Sequence, residues 1–250
     1  MNIVSIDPSL ISTALVIGNS DSFKIFNYCR ENKVYGKKGM TKWYKMAEEY
    51  VNYKFIEYRD FDNYSEGEII KLKDYDSITD NIIKDILDNI DLNEKTIIGI
   101  EGYSFSSAAG DIIDLVTFST LLRKKLFDRV SENIIVLSPS TLKLESCKLT
   151  YTPIAKEVGK KVKRIEYEYR NNEGISGGKF TKTEMFKCIV ENNHFNDFWF
   201  NHCLKEKEEI LSTKNINKPH EDLNDAYLIY QFLRKGVSDP SYPITNVIKK

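Results

Sequence analysis

The sequence has no excess of charge of either sign. Its 250 residues include 36 Lys and Arg against 37 Asp and Glu. This balance excludes a protein that binds nucleic acid over a uniformly basic surface, because contacts with phosphate require a surplus of cations. Any surface of this chain that binds nucleic acid must therefore be confined to one part of it.

Cysteines are also few. They form no close pair, which fits neither a zinc site nor a dense disulfide framework. The four are Cys29, Cys147, Cys188 and Cys203. We therefore expect reduced thiols and a cytoplasmic location. The composition is rich in Lys, Asn and Ile, which is typical of AT-rich genomes and favours a phage or other viral source. In that case the expected location is the host-cell cytoplasm.

Long apolar runs are absent. None approaches the roughly 20 residues of a membrane span, so we expect no contact with a membrane. The chain begins directly on a strand pattern, without a basic stretch followed by an apolar one, so we expect no secretory signal. The hydrophobic content of 41% suffices for one sizeable core. We predict a single domain over residues 1–250.

Hydrophobic periodicity predicts strands alternating with helices. The first three strands form an antiparallel meander, and the βαβ alternation after them implies parallel strands with helices packed on both faces of the sheet. The fold class is thus α/β with a mixed sheet. Strands are expected at residues 2–7, 12–18, 23–28, 96–101 and 133–137, and helices at 77–90, 111–130, from 138 onward, 181–192 and 221–234. Residues 30–76, 150–178 and 194–218 lack one clean period and are predicted to be insertions.

Four acidic residues stand out by their positions. Asp7 and Glu101 each end an apolar strand, where a charge belongs at the rim of the sheet or on a metal ion. Asp222 and Asp225 lie three residues apart on one face at the start of an apolar helix. Taken singly, a strand-end acid is also explained as a solvated cap, and acids in a first helical turn complement the positive end of the helix.

Together the four acids predict a site for hard cations. Ligand sets made only of oxygen favour Mg²⁺ or Mn²⁺. Two such ions, held about 4 Å apart, activate a water and stabilise the leaving oxygen in phosphoryl transfer. We expect Asp7, on the first strand, to bridge them.

Four short motifs occur in one order along the chain, and the set resembles the RuvC-like Holliday-junction resolvases of the ribonuclease H-like superfamily. They are Ile6-Asp7-Pro8-Ser9, Ile100-Glu101, Pro139-Ser140-Thr141-Leu142-Lys143 and Asp222-Leu223-Asn224-Asp225-Ala226. The resemblance implies a ribonuclease H-like fold and a homodimer that cleaves branched DNA with two Mg²⁺ ions, for which Mn²⁺ substitutes. It implies that Asp7, Glu101, Asp222 and Asp225 are metal ligands. Lys182 is similar to a catalytic lysine of the family, and Lys143 to a basic residue that contacts nucleic acid.

A local surplus of positive charge lies in the second half of the chain. Residues 143–187 contain eleven Lys and Arg against six Glu, a surplus of five. The densest run, Lys160, Lys161, Lys163 and Arg164, is predicted to bind nucleic acid together with Lys143 and Lys179. Tyr103 and Phe105, which follow Glu101, are candidates to wedge against a distorted base pair. A solvated charged face and packing of these rings in the core are the alternatives.

The alternatives to a junction-resolving endonuclease are an ATPase, a nuclease with another substrate and a non-catalytic relative. An actin-like or sugar-kinase-like ATPase is excluded, because the chain is too short for two such domains and has no second glycine-rich phosphate loop. A ribonuclease H-like nuclease acting on a flap or an RNA–DNA hybrid remains open. So does a non-catalytic relative that binds nucleic acid, although the presence of all four acids argues against it.

Overall fold

The structure, a computed structural model, describes residues 1–103, 109–158, 164–239, 241 and 242. Its strands are β1 (Asn2–Asp7), β2 (Ser12–Gly18), β3 (Phe23–Cys29), β4 (Tyr35–Gly36), β5 (Gly39–Met40), β6 (Val51–Phe55), β7 (Thr96–Glu101), β8 (Ile134–Leu137), β9 (Ile154–Val158) and β10 (Arg164–Glu168). Its helices are α1 (Glu31–Val34), α2 (Lys42–Ala47), α3 (Tyr64–Leu87), α4 (Ala109–Arg129), α5 (Pro139–Thr150), α6 (Lys182–Val190), α7 (Phe198–Lys205), α8 (Lys207–Leu211) and α9 (His220–Ser238), with a 3-10 turn at Gly177–Lys179.

A six-stranded mixed sheet, in the order β6-β3-β2-β1-β7-β8, forms the centre of the fold. Strand β2 is antiparallel to β1 and β3, whereas β1, β7 and β8 are parallel neighbours and β6 is parallel to β3. Five strands therefore point the same way, and their carboxyl ends share one edge of the sheet. The antiparallel meander followed by parallel strands confirms the predicted α/β, ribonuclease H-like fold class.

Both faces of the sheet are covered by helices, as predicted. Because side chains alternate along a strand, one set of β1 residues faces α5, α6 and α9, and the other faces α3 and α4. Ile3 of β1 and Leu223 of α9 belong to the first core. Val4 of β1 and Ile82 of α3 belong to the second core.

The segment at residues 30–76 differs most from expectation. It contributes β6, which extends the sheet, and the first half of α3, which begins at Tyr64 instead of residue 77. The Asn63 side chain caps α3 by accepting a hydrogen bond from the Glu66 backbone nitrogen. The early turns escape prediction because Ile69 and Leu72 are exposed and so follow no buried stripe.

The two later segments are also structured. Residues 150–178 contain the antiparallel pair β9–β10, a small sheet separate from the main one. Residues 194–218 contain α7 and α8, which are attached to α9 through Asp197. That carboxylate caps α7 and accepts hydrogen bonds from Tyr227 and Gln231 of α9 at 2.7 and 2.9 Å. The reading of the whole chain as one domain with insertions stays a prediction.

The state of the thiols and the character of the helices bear on two further expectations. All four cysteines are free and buried, so the predicted absence of disulfides is confirmed. No helix within the described ranges has the length and apolar character needed to cross a bilayer. The homodimer stays a prediction. On α4, Ile113 and Phe127 are exposed, whereas Phe118 is buried in the core.

Candidate active site

Three of the four predicted acids meet at the carboxyl edge of the sheet. Asp7 ends β1, Glu101 ends the adjacent strand β7, and Asp225 lies in the second turn of α9. Each offers a carboxylate oxygen, and these oxygens all lie within 4.8 Å of one another. Asp7 and Asp225 are buried and Glu101 is half-buried. We call these residues the acidic triad.

The packing of α9 on the sheet brings the triad together. Ile6 pairs with Ile100 in the parallel β1–β7 register, so the two following acids end their strands at the same level. The Ser5 hydroxyl donates a 2.7 Å hydrogen bond to the Ala226 carbonyl and so holds α9 against β1. Gly99 permits the close approach, because a Cβ at this position would lie 2.5 Å from Ile229 of α9.

Burial and the charges of neighbouring acids make Asp7 and Asp225 costly to ionise. Burial, followed by the charges of Glu101, Asp225 and Asp222, raises the pKa of Asp7 well above its usual range. Burial likewise raises the pKa of Asp225 to about 7, although Lys182 opposes the increase. The Oδ1 atom of Asp225 is buried without a hydrogen-bond partner. A buried carboxylate oxygen that accepts no hydrogen bond lacks a partner, and a bound cation would supply one.

Lys182 supplies the triad with a positive charge. Thr181 caps α6 in a capping box with Glu184, which fixes Lys182 as the first residue of the helix. Its ammonium group is hydrogen-bonded to Oδ2 of Asp225. Burial alone would lower the pKa of Lys182, but Asp225 and the other two acids of the triad raise it above its usual range. The predicted lysine and the predicted acids are thus in direct contact.

Asp222 occupies a different position from the triad. Both of its oxygens accept hydrogen bonds from Lys218 at 2.9 Å, and it lines the same cleft as Asp7. Lys218 was not among the predicted site residues, although its four-residue spacing from Asp222 is a signal for such an ion pair. Glu221 was not among them either; it lines the cleft, and its pKa is raised by burial and by Asp222.

The donor set fits divalent ions of the Mg²⁺ class. Asp7, Glu101 and Asp225 present only oxygen, converge within 4.8 Å and include one unpartnered oxygen. Hard cations prefer such ligands, and a bound cation relieves the repulsion between the carboxylates. Asp222 is close enough to raise the pKa of Asp7, and it could join the ligands only by exchanging its contact with Lys218.

A cleft of about 730 Å³ opens over Asp7 and Glu101 of the triad. Lys143 of α5, Lys182 and Asp222 also line it. The Ser138 hydroxyl caps α5 by accepting a hydrogen bond from the Thr141 backbone nitrogen. This cap holds the first turn of α5, and hence Lys143, at the carboxyl end of β8.

Three of the other predicted nucleic-acid contacts, Tyr103, Arg164 and Lys179, do not line this cleft. Tyr103 rests on α4, where its hydroxyl lies 2.8 Å from Thr120 and the Arg123 guanidinium lies 4.2 Å from its ring centre. Arg164 is exposed on β10 and paired with Glu166, and Lys179 is exposed beyond the hairpin. The remaining four lie outside the described residues; they are Phe105, Lys160, Lys161 and Lys163. Their contacts with nucleic acid stay predictions.

The β9–β10 hairpin borders a second groove of about 960 Å³, which also touches Lys235 near the end of α9. The triad lies at the beginning of that helix. The 13 residues from Asp222 to Lys235 span roughly 20 Å at 1.5 Å per residue. The side of this groove next to Lys235 is therefore well separated from the acids.

No protein-family model matches this sequence, and no curated protein matches it. Among solved structures, the chain is similar to T. thermophilus RuvC in complex with Holliday junction substrate, with a TM-score of 0.42 and 9% identity over 95% of this chain and 96% of that chain. A further Thermus thermophilus RuvC structure has a TM-score of 0.41 and 10% identity, with coverage of 95% and 96%. The likeness is one of fold, and the activity of this chain has to be argued from its own cleft.

Proposed function

We propose that this chain is a divalent-metal-dependent endonuclease that hydrolyses phosphodiester bonds of branched DNA, such as four-way junctions. The observation that carries the proposal is the convergence of three buried or half-buried carboxylates, one with an unpartnered oxygen, beside a lysine in an open cleft. The choice of branched DNA rests on the order of the four sequence motifs. Mg²⁺ is the proposed ion, with Mn²⁺ as a substitute and two ions per site.

The chain's own residues have distinct parts in this proposal. Asp7, Glu101 and Asp225 hold the ions, with Asp222 as the fourth ligand after it leaves Lys218. Lys182 keeps Asp225 oriented and offers an ammonium group next to the reacting phosphate. When bound, the ions supply an activated water and stabilise charge on the leaving oxygen. Lys143, at the mouth of the cleft, is placed to contact a phosphate of the same strand.

A comparison of substrates and metals tests the activity. We expect cleavage of a four-way junction in Mg²⁺ or Mn²⁺ and none in chelator. Ca²⁺ should support binding with little cleavage, because its looser coordination positions the attacking water poorly. Junction, flap, duplex and RNA–DNA hybrid should be compared at equal concentration. Cleavage in chelator, or equal turnover in Ca²⁺ and Mg²⁺, would contradict the proposal, and preferred cleavage of the hybrid would contradict the branched-DNA substrate.

The basic run is proposed to grip the arms of the substrate. Replacing Lys160, Lys161, Lys163 and Arg164 by Gln should weaken binding and flatten the dependence of log affinity on log salt by up to about 0.9 per lost contact. The rate of cleavage at saturating substrate should be unchanged, because Arg164 does not line the cleft that contains Asp7 and Glu101.

A matched variant controls for the change in net charge. It replaces four exposed lysines elsewhere, Lys33, Lys37, Lys38 and Lys45, by Gln. An unchanged salt slope in the folded basic-run variant, or an equal change in both variants, would show that the polyanion is held elsewhere.

A further inference from the structure

The cleft continues past the acidic triad to the other side of the sheet. Strands β3 and β6 point the same way as β1, so the residues that follow them lie along the same carboxyl edge. Arg30 directly follows β3, and Tyr58 and Arg59 come shortly after β6. All three line the cleft that also contains Asp7 and Glu101. We call this side of the cleft the β3–β6 arm.

Arg30 is distinguished from the other cations of this arm by the absence of a counterion. Arg59 is paired with Asp74, with 2.7 Å between its Nε and Oδ1, and Lys71 is paired with Asp114 at 2.9 Å. For Arg30, the described part of the chain provides no carboxylate partner. Its Nε atom is buried and has no hydrogen-bond acceptor. A buried guanidinium nitrogen without an acceptor is costly in the free protein, and an anion that enters the cleft would relieve this cost.

The position of the Arg30 guanidinium is fixed by stacking. It lies 4.4 Å from the centre of the Tyr58 ring, within the range of a cation–π contact. The Tyr58 hydroxyl donates a 2.8 Å hydrogen bond to the carbonyl of Leu10, in the turn that follows Asp7. The stacked pair is thereby tied to the loop that carries the first acid, and its distance from the triad is set by the fold.

We propose that Arg30 binds a backbone phosphate of the same nucleic-acid strand that is cut at the triad. Strand β3 is two strands from β1, or roughly 10 Å at the usual spacing between strands. This separation exceeds the distance between consecutive phosphates of a strand, so the contact would lie within a few nucleotides of the cut bond. The fork of a guanidinium suits a phosphate, and Phe61, exposed on the same arm, offers a surface for an adjacent base. The inference rests on the proposed nuclease function.

The affinity for DNA, measured in chelator so that no cleavage occurs, tests whether the charge of Arg30 contributes to binding. Arg30→Gln should weaken binding of a labelled four-way junction about tenfold and flatten the salt slope by about 0.9. Arg30→Lys keeps the charge and should retain most of the affinity, which separates a lost contact from a damaged fold. Arg129→Gln is the matched control, because Arg129 lies outside the cleft and is paired with Asp80. Equal affinity of Arg30→Gln and Arg129→Gln would overturn the assignment.

Neutral methylphosphonate linkages, introduced one at a time into the strand, locate the contact. Wild-type affinity should fall at one linkage within a few nucleotides of the cut, and Arg30→Gln should be insensitive at that same linkage. A variant that keeps the wild-type sensitivity at every linkage would overturn the proposal. These measurements need no turnover. A protein that binds without cutting in any metal would contradict the nuclease function alone, and one that binds no DNA would contradict both.

Discussion

Asp7→Asn is expected to abolish metal-dependent cleavage while making the metal-free protein more stable at pH 8. Asp7 is 7% exposed, and its pKa is raised first by burial and then by the acids around it. A carboxyl whose pKa is higher in the folded state stabilises the fold at low pH, and this stability is lost as the pH rises through the folded-state pKa. Asparagine carries no charge at any pH, so the variant does not lose this stability at pH 8.

The gain should be about 1–3 kcal/mol at pH 8, which corresponds to a rise in Tm of several degrees for a chain of this size. Thermal unfolding in chelator at pH 8 and pH 5 measures it, and the difference from wild type should shrink as the pH is lowered, because protonation of Asp7 removes its buried charge. Mg²⁺ should raise the Tm of the wild type much more than that of the variant. Asp80→Asn is the control, because Lys125 and Arg129 lower the pKa of Asp80. A variant that still cleaves, or that melts below wild type in chelator, would contradict the assignment.

Lys182→Met should destabilise the metal-free protein, in contrast to Asp7→Asn, and should also impair cleavage. The substitution leaves Oδ2 of Asp225 without its ammonium partner, inside a triad of like charges. Lys182 is 37% exposed, so water screens part of the interaction. We expect a loss of about 1–2 kcal/mol in the free energy of unfolding in chelator at pH 8. Saturating Mg²⁺ should restore much of it, because the ions replace the missing positive charge.

The pH dependence separates this effect from lost packing. The pKa of Asp225 is raised to about 7, so Asp225 is protonated at pH 5 and has little need of Lys182. Chemical denaturation at pH 5 and pH 8 should therefore show a larger loss at pH 8. Lys187→Met is the matched control, because Lys187 lies on the same helix and is paired with the exposed Glu173. It should cost at most about 0.5 kcal/mol. Equal losses for Lys182→Met at the two pH values would assign Lys182 a packing role instead.

The sequence predicts the centre of the site because strand ends are local signals. Asp7 and Glu101 close apolar runs, and parallel neighbouring strands bring such ends to one edge. Asp225 was predicted from helical spacing on a helix too apolar to be exposed. What spacing cannot provide is the distinction between Asp225, which joins the triad, and Asp222, which pairs with Lys218. That distinction depends on the side chains that surround α9 in three dimensions.

The β3–β6 arm of the cleft was not predictable in the same way. The five residues of strand β6, VNYKF, do alternate apolar and polar side chains, but so short a run inside a long polar segment did not identify the strand. Without β6 in the sheet, nothing in the sequence places Tyr58 and Arg59 along the same edge as Asp7. The basic run had the stronger sequence signal, yet Arg164 lies outside the cleft. Density of charge along a chain therefore does not indicate proximity to the acids.

The hydrogen bond from Ser5 to Ala226 spans 221 residues of sequence, and it constrains when the site can exist during synthesis. Strand β1 leaves the ribosome long before α9, so Asp7 and Glu101 emerge before Asp225 can join them. Contacts of such long range also form late, because closing a large loop costs entropy before the contact is gained. A nascent chain therefore carries an incomplete acidic triad, and the proposed nuclease site is completed only after α9 has docked.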